Sequence, residues 1–216
     1  MNLQKRGFRF FLQLGKFILL LSILFIGFLI FLKSLDYYDP DFTKGYLIDK
    51  KDFFDGFFKF GMYAHIVTAP IILVLGTSQV FFRYELKQRK LHILLGQFYV
   101  FLVLLLSAPG ALMLSFYAFG GWFSKVSFLI LSSLWFWFTL KGWQMGRSGN
   151  LLAHRKFMIR SYVLTLSAIF LRILSFIFIH YLHFYGEFAY TLSSWLSWLP
   201  ILIMTEVYFL RKLSSI

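Results

Sequence analysis

Hydrophobic positions in this chain run in long unbroken blocks instead of alternating with polar ones. The blocks lie near residues 17–32, 62–82, 93–114, 126–140, 157–179 and 189–210. A hydrocarbon layer about 30 Å thick takes roughly 20 apolar residues of helix, and the block at 126–140 falls furthest short of that length. Backbone amides surrounded by lipid must bond internally, which leaves helices or a closed barrel. The absence of period-two alternation excludes the barrel. The pattern predicts an all-α, polytopic membrane helical bundle of about six transmembrane helices, forming a single integral membrane domain over residues 1–216.

Composition agrees with that reading. Hydrophobic residues make up 59% of the chain and charged residues 14%, with a mean hydropathy of +0.73, too little polarity to cover a water-soluble surface. Lys5, Arg6, Arg9 and Lys16 precede the first block as they would in a secretory signal, but Leu32-Lys33-Ser34-Leu35-Asp36 has no small-x-small cleavage pattern, so an uncleaved anchor is expected.

Basic residues near span ends stay cytoplasmic. One side receives the N-terminal arm, Arg83, Lys87, Arg89, Lys90, Lys141, Arg147, Arg155, Lys156, Arg160, Arg211 and Lys212; the other keeps Lys33, Lys44, Lys50, Lys51, Lys59 and Lys125, and Arg172 is left inside a span. The asymmetry predicts both termini in the cytoplasm and a bacterial inner-membrane protein. The opposite-side loop 34–60 also carries six of the nine acids, Asp36, Asp39, Asp41, Asp49, Asp52 and Asp55.

The net charge of +13 is spread along membrane edges and not gathered on one soluble face, so anionic lipid headgroups are the expected partners and nucleic acid is not. With no cysteine, thiolate catalysis and cysteine-ligated clusters are excluded. Serine elbows, paired carboxylates and Asp/His metal spacings are absent as well, which argues against an enzyme.

Tyr37-Tyr38-Asp39-Pro40 reads as an interfacial turn, and Lys51–Phe60 as a short amphipathic helix on the membrane. Trp122, Trp143, Tyr190 and Trp195 suit interfacial anchoring. Pro70, Pro109 and Pro200 lie inside spans, where each is expected to bend its helix.

Polar residues at depth are few enough to place one by one. His92 and His154 open the third and fifth spans at the cytoplasmic edge, with Gln79, Gln97, Arg160 and Glu206 at similar depth. Arg160 with Glu206 is a natural ion pair, since intramembrane charges seek partners or cavities. On the fifth helix His154, Ser161, Thr165, Ala168 and Arg172 fall on one narrow face. Toward the outer end, His65, Arg172 and His180 form a second expected cluster.

Two imidazoles at matching depth on different helices suit axial ligation of a b-type haem, with His92 and His154 as ligands and Arg155 or Arg160 beside the propionates. His154 and His180 stand 26 residues apart, about 39 Å along a helix, too far to serve one iron; His65 with His180 is at best a loose outer pair. The alternative is a non-redox transport, sensing or scaffold protein whose histidines hold the bundle together, and a relay across the bilayer would have only Ser161, Thr165 and Ser167 on the fifth helix between the clusters. His183 reads as interfacial.

At these residues the chain resembles the bacterial membrane-protein family called domain of unknown function 2306. The matching segments are Ala64-His65, Leu75-Gly76-Thr77-Ser78-Gln79, the run Leu91-His92 to Val100, and His154-Arg155-Lys156-Phe157-Met158-Ile159-Arg160-Ser161-Tyr162 continuing to Leu171-Arg172. The resemblance implies a multi-pass helical protein with His65, Gln79, His92, His154, Arg160 and Arg172 as signature positions, and it implies no activity. Members often carry His-Arg where this chain has His92-Ile93, and Trp-Met where it has Phe157-Met158.

Overall fold

The computed structural model describes residues 2–43, 45–48, 50–82 and 88–210. Of the residues used above, Lys44, Asp49, Arg83, Lys87, Arg211 and Lys212 lie outside them. The protein is 87% helical, and the described residues hold no strand, as the apolar blocks require. The α-helices are α1 (Asn2–Ser34), α2 (Gly56–Phe81), α3 (Arg89–Leu102), α4 (Ala108–Ser115), α5 (Gly121–Arg147), α6 (Leu151–His180), α7 (Gly186–Leu196) and α8 (Leu199–Met204). A π turn, Val103–Ser107, joins α3 to α4 in one span, and α7 continues through α8 in another, so the described residues form six helices long and apolar enough to cross a membrane. The end of α2, the start of α3 and the α5–α6 connection then share one face with the start of α1, called here the terminal face. The end of α1, the start of α2 and the α4–α5 and α6–α7 turns share the loop face.

The fourth span is longer than its apolar block. Helix α5 runs through Ser124, Lys125 and Gly142 because main-chain bonds are indifferent to side-chain polarity, while Lys141 over Trp137 (4.7 Å) and Arg147 over Trp143 (5.1 Å) mark its interfacial end. The expected amphipathic helix at 51–60 does not form. A 3-10 turn, Lys51–Phe53, ends before Asp55, and α2 starts at Gly56. The break lets Phe54 and Phe58 both join an aromatic cluster with Tyr63 and Tyr117, over buried Leu47 and Met62. Burial in the same cluster pushes the Tyr46 phenol up, so it stays protonated.

The prolines act differently from one another. Pro70 lies within an uninterrupted α2. Pro109 follows the π turn, having no N–H to offer the carbonyl one turn back, and Pro200 opens α8.

Small residues set how closely the helices approach. A Cβ on Gly110 of α4 would sit 2.6 Å from the Gly61 carbonyl oxygen of α2, and one on Gly27 of α1 would sit 2.6 Å from the Leu73 side chain. Between α5 and α7 a hydroxyl seam takes over: Ser124 Oγ to Thr191 Oγ1 (3.0 Å), Ser127 Oγ to the Ser194 carbonyl (3.0 Å), and Trp198 Nε1 to Ser127 Oγ (3.0 Å). Such contacts are what membrane helices use in place of a hydrophobic drive. Helix α3 packs beside α2, and α6 beside α5 and α2, around a core of Ile72, Tyr99, Val103, Trp135, Leu164 and Trp198.

Candidate polar sites inside the bundle

Tyr99 ties α3 to α6. Its hydroxyl bonds Ser161 Oγ at 2.7 Å and Thr165 Oγ1 at 3.0 Å, and Ser161 also bonds Thr139 Oγ1 of α5 at 2.7 Å. Space for the ring comes from Gly76, where a Cβ would lie 2.9 Å from Tyr99 and 2.7 Å from Tyr162; Tyr162 in turn bonds Thr77 Oγ1 at 2.9 Å. The Leu75–Gln79 segment singled out in the sequence is therefore the α2 wall of this network.

That bond fixes the register of two parallel helices. Seven residues before Tyr99 and before Ser161 stand His92 and His154, both about two turns, or roughly 10.5 Å, toward the terminal face. The two imidazoles lie within electrostatic range of each other. His154 Nδ1 is 2.8 Å from the Gly142 carbonyl oxygen, and its ring occupies space that a Cβ on Gly146 would invade at 2.8 Å. A carbonyl only accepts, so Nδ1 carries a proton, and in the neutral ring it is Nε2 that holds the lone pair.

Arg160 closes the same end. Its Nε and Nη2 both donate to the Glu206 carboxylate, the second at 2.8 Å, and its guanidinium lies over Phe157 (5.2 Å) and Phe138 (5.6 Å). The ion pair read from the sequence is thus present, as a two-pronged fork. Phe157 keeps an aromatic ring under the cation, and Ile93 is exposed. Gln79 faces Gly96 of α3, and its buried Nε2 has no hydrogen-bond partner among the described residues; Gln97 is exposed. Glu206→Gln is expected to lower stability in detergent by about 1–2 kcal/mol, a figure held down by the 42% exposure of the Glu206 side chain. Glu187→Gln, at an exposed position, should cost less, and equal unfolding midpoints for the two variants would count against the pair.

Toward the loop face, His65 Nδ1 lies 3.0 Å from the Ser107 carbonyl oxygen and 3.1 Å from Ser107 Oγ, at the end of the π turn. The imidazole meets Trp135 edge-on at 6.4 Å. Arg172 Nη1 donates to the Ala168 carbonyl at 3.0 Å, with His65, Tyr37 and Tyr190 in electrostatic range. His180 does not join them: it is exposed at the end of α6 and lies against Phe176 at 4.5 Å with the rings tilted by 44°. Among the described residues His183 pairs with Tyr185, at 3.2 Å.

Between the two ends, Ser161 and Thr165 belong to the Tyr99 network, and hydroxyls from three helices fill the layer that α6 alone left sparse. Tyr99 and Thr139 were hidden in the sequence because a tyrosine or threonine in an apolar run looks like packing. The one available signal was the shared seven-residue spacing from His92 to Tyr99 and from His154 to Ser161. Among the described residues no group of three His, Asp, Glu or Cys side chains is placed to hold a metal ion.

A six-span helical bundle with polar side chains gathered inside it defines a multi-pass membrane protein. The family model of predicted membrane proteins DUF2306 matches residues 62–209, well over half of the chain, and the protein belongs to that family. The match runs from Met62, within α2, through α8 and takes in His65, Gln79, His92, Tyr99, Thr139, His154, Arg160, Ser161, Thr165, Arg172 and Glu206. No curated protein and no solved structure matches the chain.

Proposed function

We propose that the protein binds a b-type haem between His92 and His154 and carries electrons through the membrane at that site. The observation behind this reading is the 2.8 Å contact of His154 Nδ1 with the Gly142 carbonyl oxygen, which in the neutral ring leaves Nε2 as a ligand atom, with His92 placed at the same register on a different helix. Glycine at 146 lets α5 pack against the Nδ1 edge of the same ring and so helps to hold its orientation. Bound there, the haem supplies reversible one-electron chemistry at iron. His92 and His154 would hold and orient it, and the Gly142 carbonyl fixes the His154 ring. Arg160 gives its fork to Glu206, so propionate pairing falls to Arg155.

The basic excess on the terminal face supports cytoplasmic termini in a bacterial inner membrane, with anionic headgroups as partners. A second, non-redox reading, as a transport, sensing or scaffold protein, rests on the buried hydroxyl network around Tyr99, which links three helices without any cofactor.

An absorption spectrum of the detergent-purified protein from haem-replete cells separates the two. The first reading expects a Soret band and a reduced α band, both lost in His154→Ala and retained in His183→Ala. Colourless wild-type protein overturns it and leaves the non-redox reading.

A further inference from the structure

Two features of the α2–α3 contact are not explained by helix packing. The first is Gly96. On α3 the residues His92, Gly96 and Tyr99 and, past the helix end, Val103 fall on one stripe, and Tyr99 and Val103 are buried in the core. A glycine inside that stripe weakens the helix relative to alanine. Other glycines between helices are required by contact, since a Cβ on Gly27, Gly76 or Gly110 would come 2.6, 2.7 or 2.6 Å from a neighbouring atom. Among the described residues a Cβ on Gly96 would meet only Gln79 Oε1, at 3.8 Å, an ordinary contact. Alanine fits there, so close approach is not the reason for the glycine.

The second is the amide beside it. Gln79 continues the α2 stripe of Ile72 and Gly76, and its Nε2 is buried without a hydrogen-bond partner among the described residues. A buried N–H left unpaired is costly. Register gives the depth of the place. Gly96 stands four residues beyond His92 toward the bilayer centre, about 6 Å along the axis, or roughly the half-width of a porphyrin ring. On α6 the matching residue is Met158, three before Ser161 as Gly96 is three before Tyr99, and it lies against Gly142 of α5. One layer deeper, Tyr99 reaches across from α3 to Ser161 and Thr165 and forms a floor. Between the two histidines and that floor, α3 presents no side chain and α2 presents an unpaired donor.

We infer that Gly96 and Gln79 form the inner end of the haem site, an assignment that rests on the reading above: the apolar rim of the macrocycle lies over Gly96, and the Gln79 amide turns its N–H to the ring. Any side chain at 96 would stand against that rim. The propionate edge then faces the terminal face and Arg155, which keeps the carboxylates out of the bilayer centre. Ring π-electrons accept an N–H weakly. The positive end of the amide dipole also favours ferrous haem, which carries one positive charge less than ferric, so Gln79 raises the reduction potential.

The test uses the full chain in dodecyl maltoside, purified from haem-limited and from haem-replete cells. Without haem, Gly96→Ala is expected to raise the unfolding midpoint by roughly 2–4 °C, since alanine is the better helix residue and meets no close contact. In haem titration the same variant should bind about fivefold more weakly than wild type, or worse. Gly15→Ala, whose Cβ meets nothing within 4 Å, should gain similar stability and bind haem as wild type does. Gln79→Leu should keep the Soret band and lower the reduction midpoint, followed by redox titration of the α band. A lowered unfolding midpoint in haem-free Gly96→Ala makes the glycine structural and overturns the assignment, as does wild-type haem affinity in that variant. An unchanged reduction midpoint in Gln79→Leu overturns the role of Gln79. Colourless wild-type protein from haem-replete cells overturns the haem reading and this site with it, whereas the other failures leave that reading standing.

Discussion

Gly110→Ala is expected to destabilise the protein by about 3 kcal/mol, at the upper end of what a single added methyl costs in a packed core. The new Cβ would lie 2.6 Å from the Gly61 carbonyl oxygen, 3.1 Å from the His65 amide nitrogen and 3.3 Å from the His65 Cβ. Two of these are main-chain atoms inside α2, which cannot rotate away as a side-chain tip would, so α2 and α4 must separate. Separation also draws His65 from the Ser107 carbonyl at 3.0 Å, so stability and the loop-face cluster fail together. Gly15→Ala is the matched control: a Cβ there meets nothing within 4 Å, and alanine suits a helix interior better than glycine by about 1 kcal/mol. Reversible unfolding in mixed detergent micelles measures both. Equal midpoints for Gly110→Ala and wild type would mean the α2–α4 crossing is looser than described.

The second large effect belongs to Tyr99, which is 1% exposed and joins α3 to α6. Tyr99→Ala removes a ring from the centre of the core, and a loss of about 3–5 kcal/mol is expected from the cavity alone. Tyr99→Phe keeps the ring and deletes only the hydroxyl. Ser161 retains Thr139 as a partner and Thr165 retains the Ser161 carbonyl, at 2.7 and 3.1 Å, so neither hydroxyl is stripped and the cost should fall to about 1 kcal/mol. The ratio between the two variants reports whether packing or hydrogen bonding holds α3 against α6. A Phe variant as unstable as the Ala variant would assign that role to the hydroxyl. Because Tyr99 and Ser161 set the register that brings His92 level with His154, Tyr99→Ala should also disturb any ligand held there.

Much of the protein is legible along the chain, for a physical reason. Lipid imposes a length on each apolar run and a cost on each buried charge, and both constraints act on local sequence. The six spans, the all-α class and the Arg160–Glu206 fork follow from that. So does the polar face of α6, where Ser161 and Thr165 are buried in the hydroxyl network.

The packing between helices is not legible in the same way, because it depends on which residues from distant segments meet. Gly61 against Gly110, Tyr99 against Ser161, and His65 at the π turn are pairings of this kind. Two boundaries also moved for tertiary reasons: 51–60 broke so that Phe54 and Phe58 could share one aromatic cluster, and α5 extended through serines that α7 satisfies. Sequence alone determined that these helices live in a bilayer and that hydrophilic side chains such as Ser161 and Thr165 turn inward. Only the tertiary structure decided how those side chains pair, because a hydrogen bond or a close backbone approach between helices is set by register, and register is a property of two segments at once.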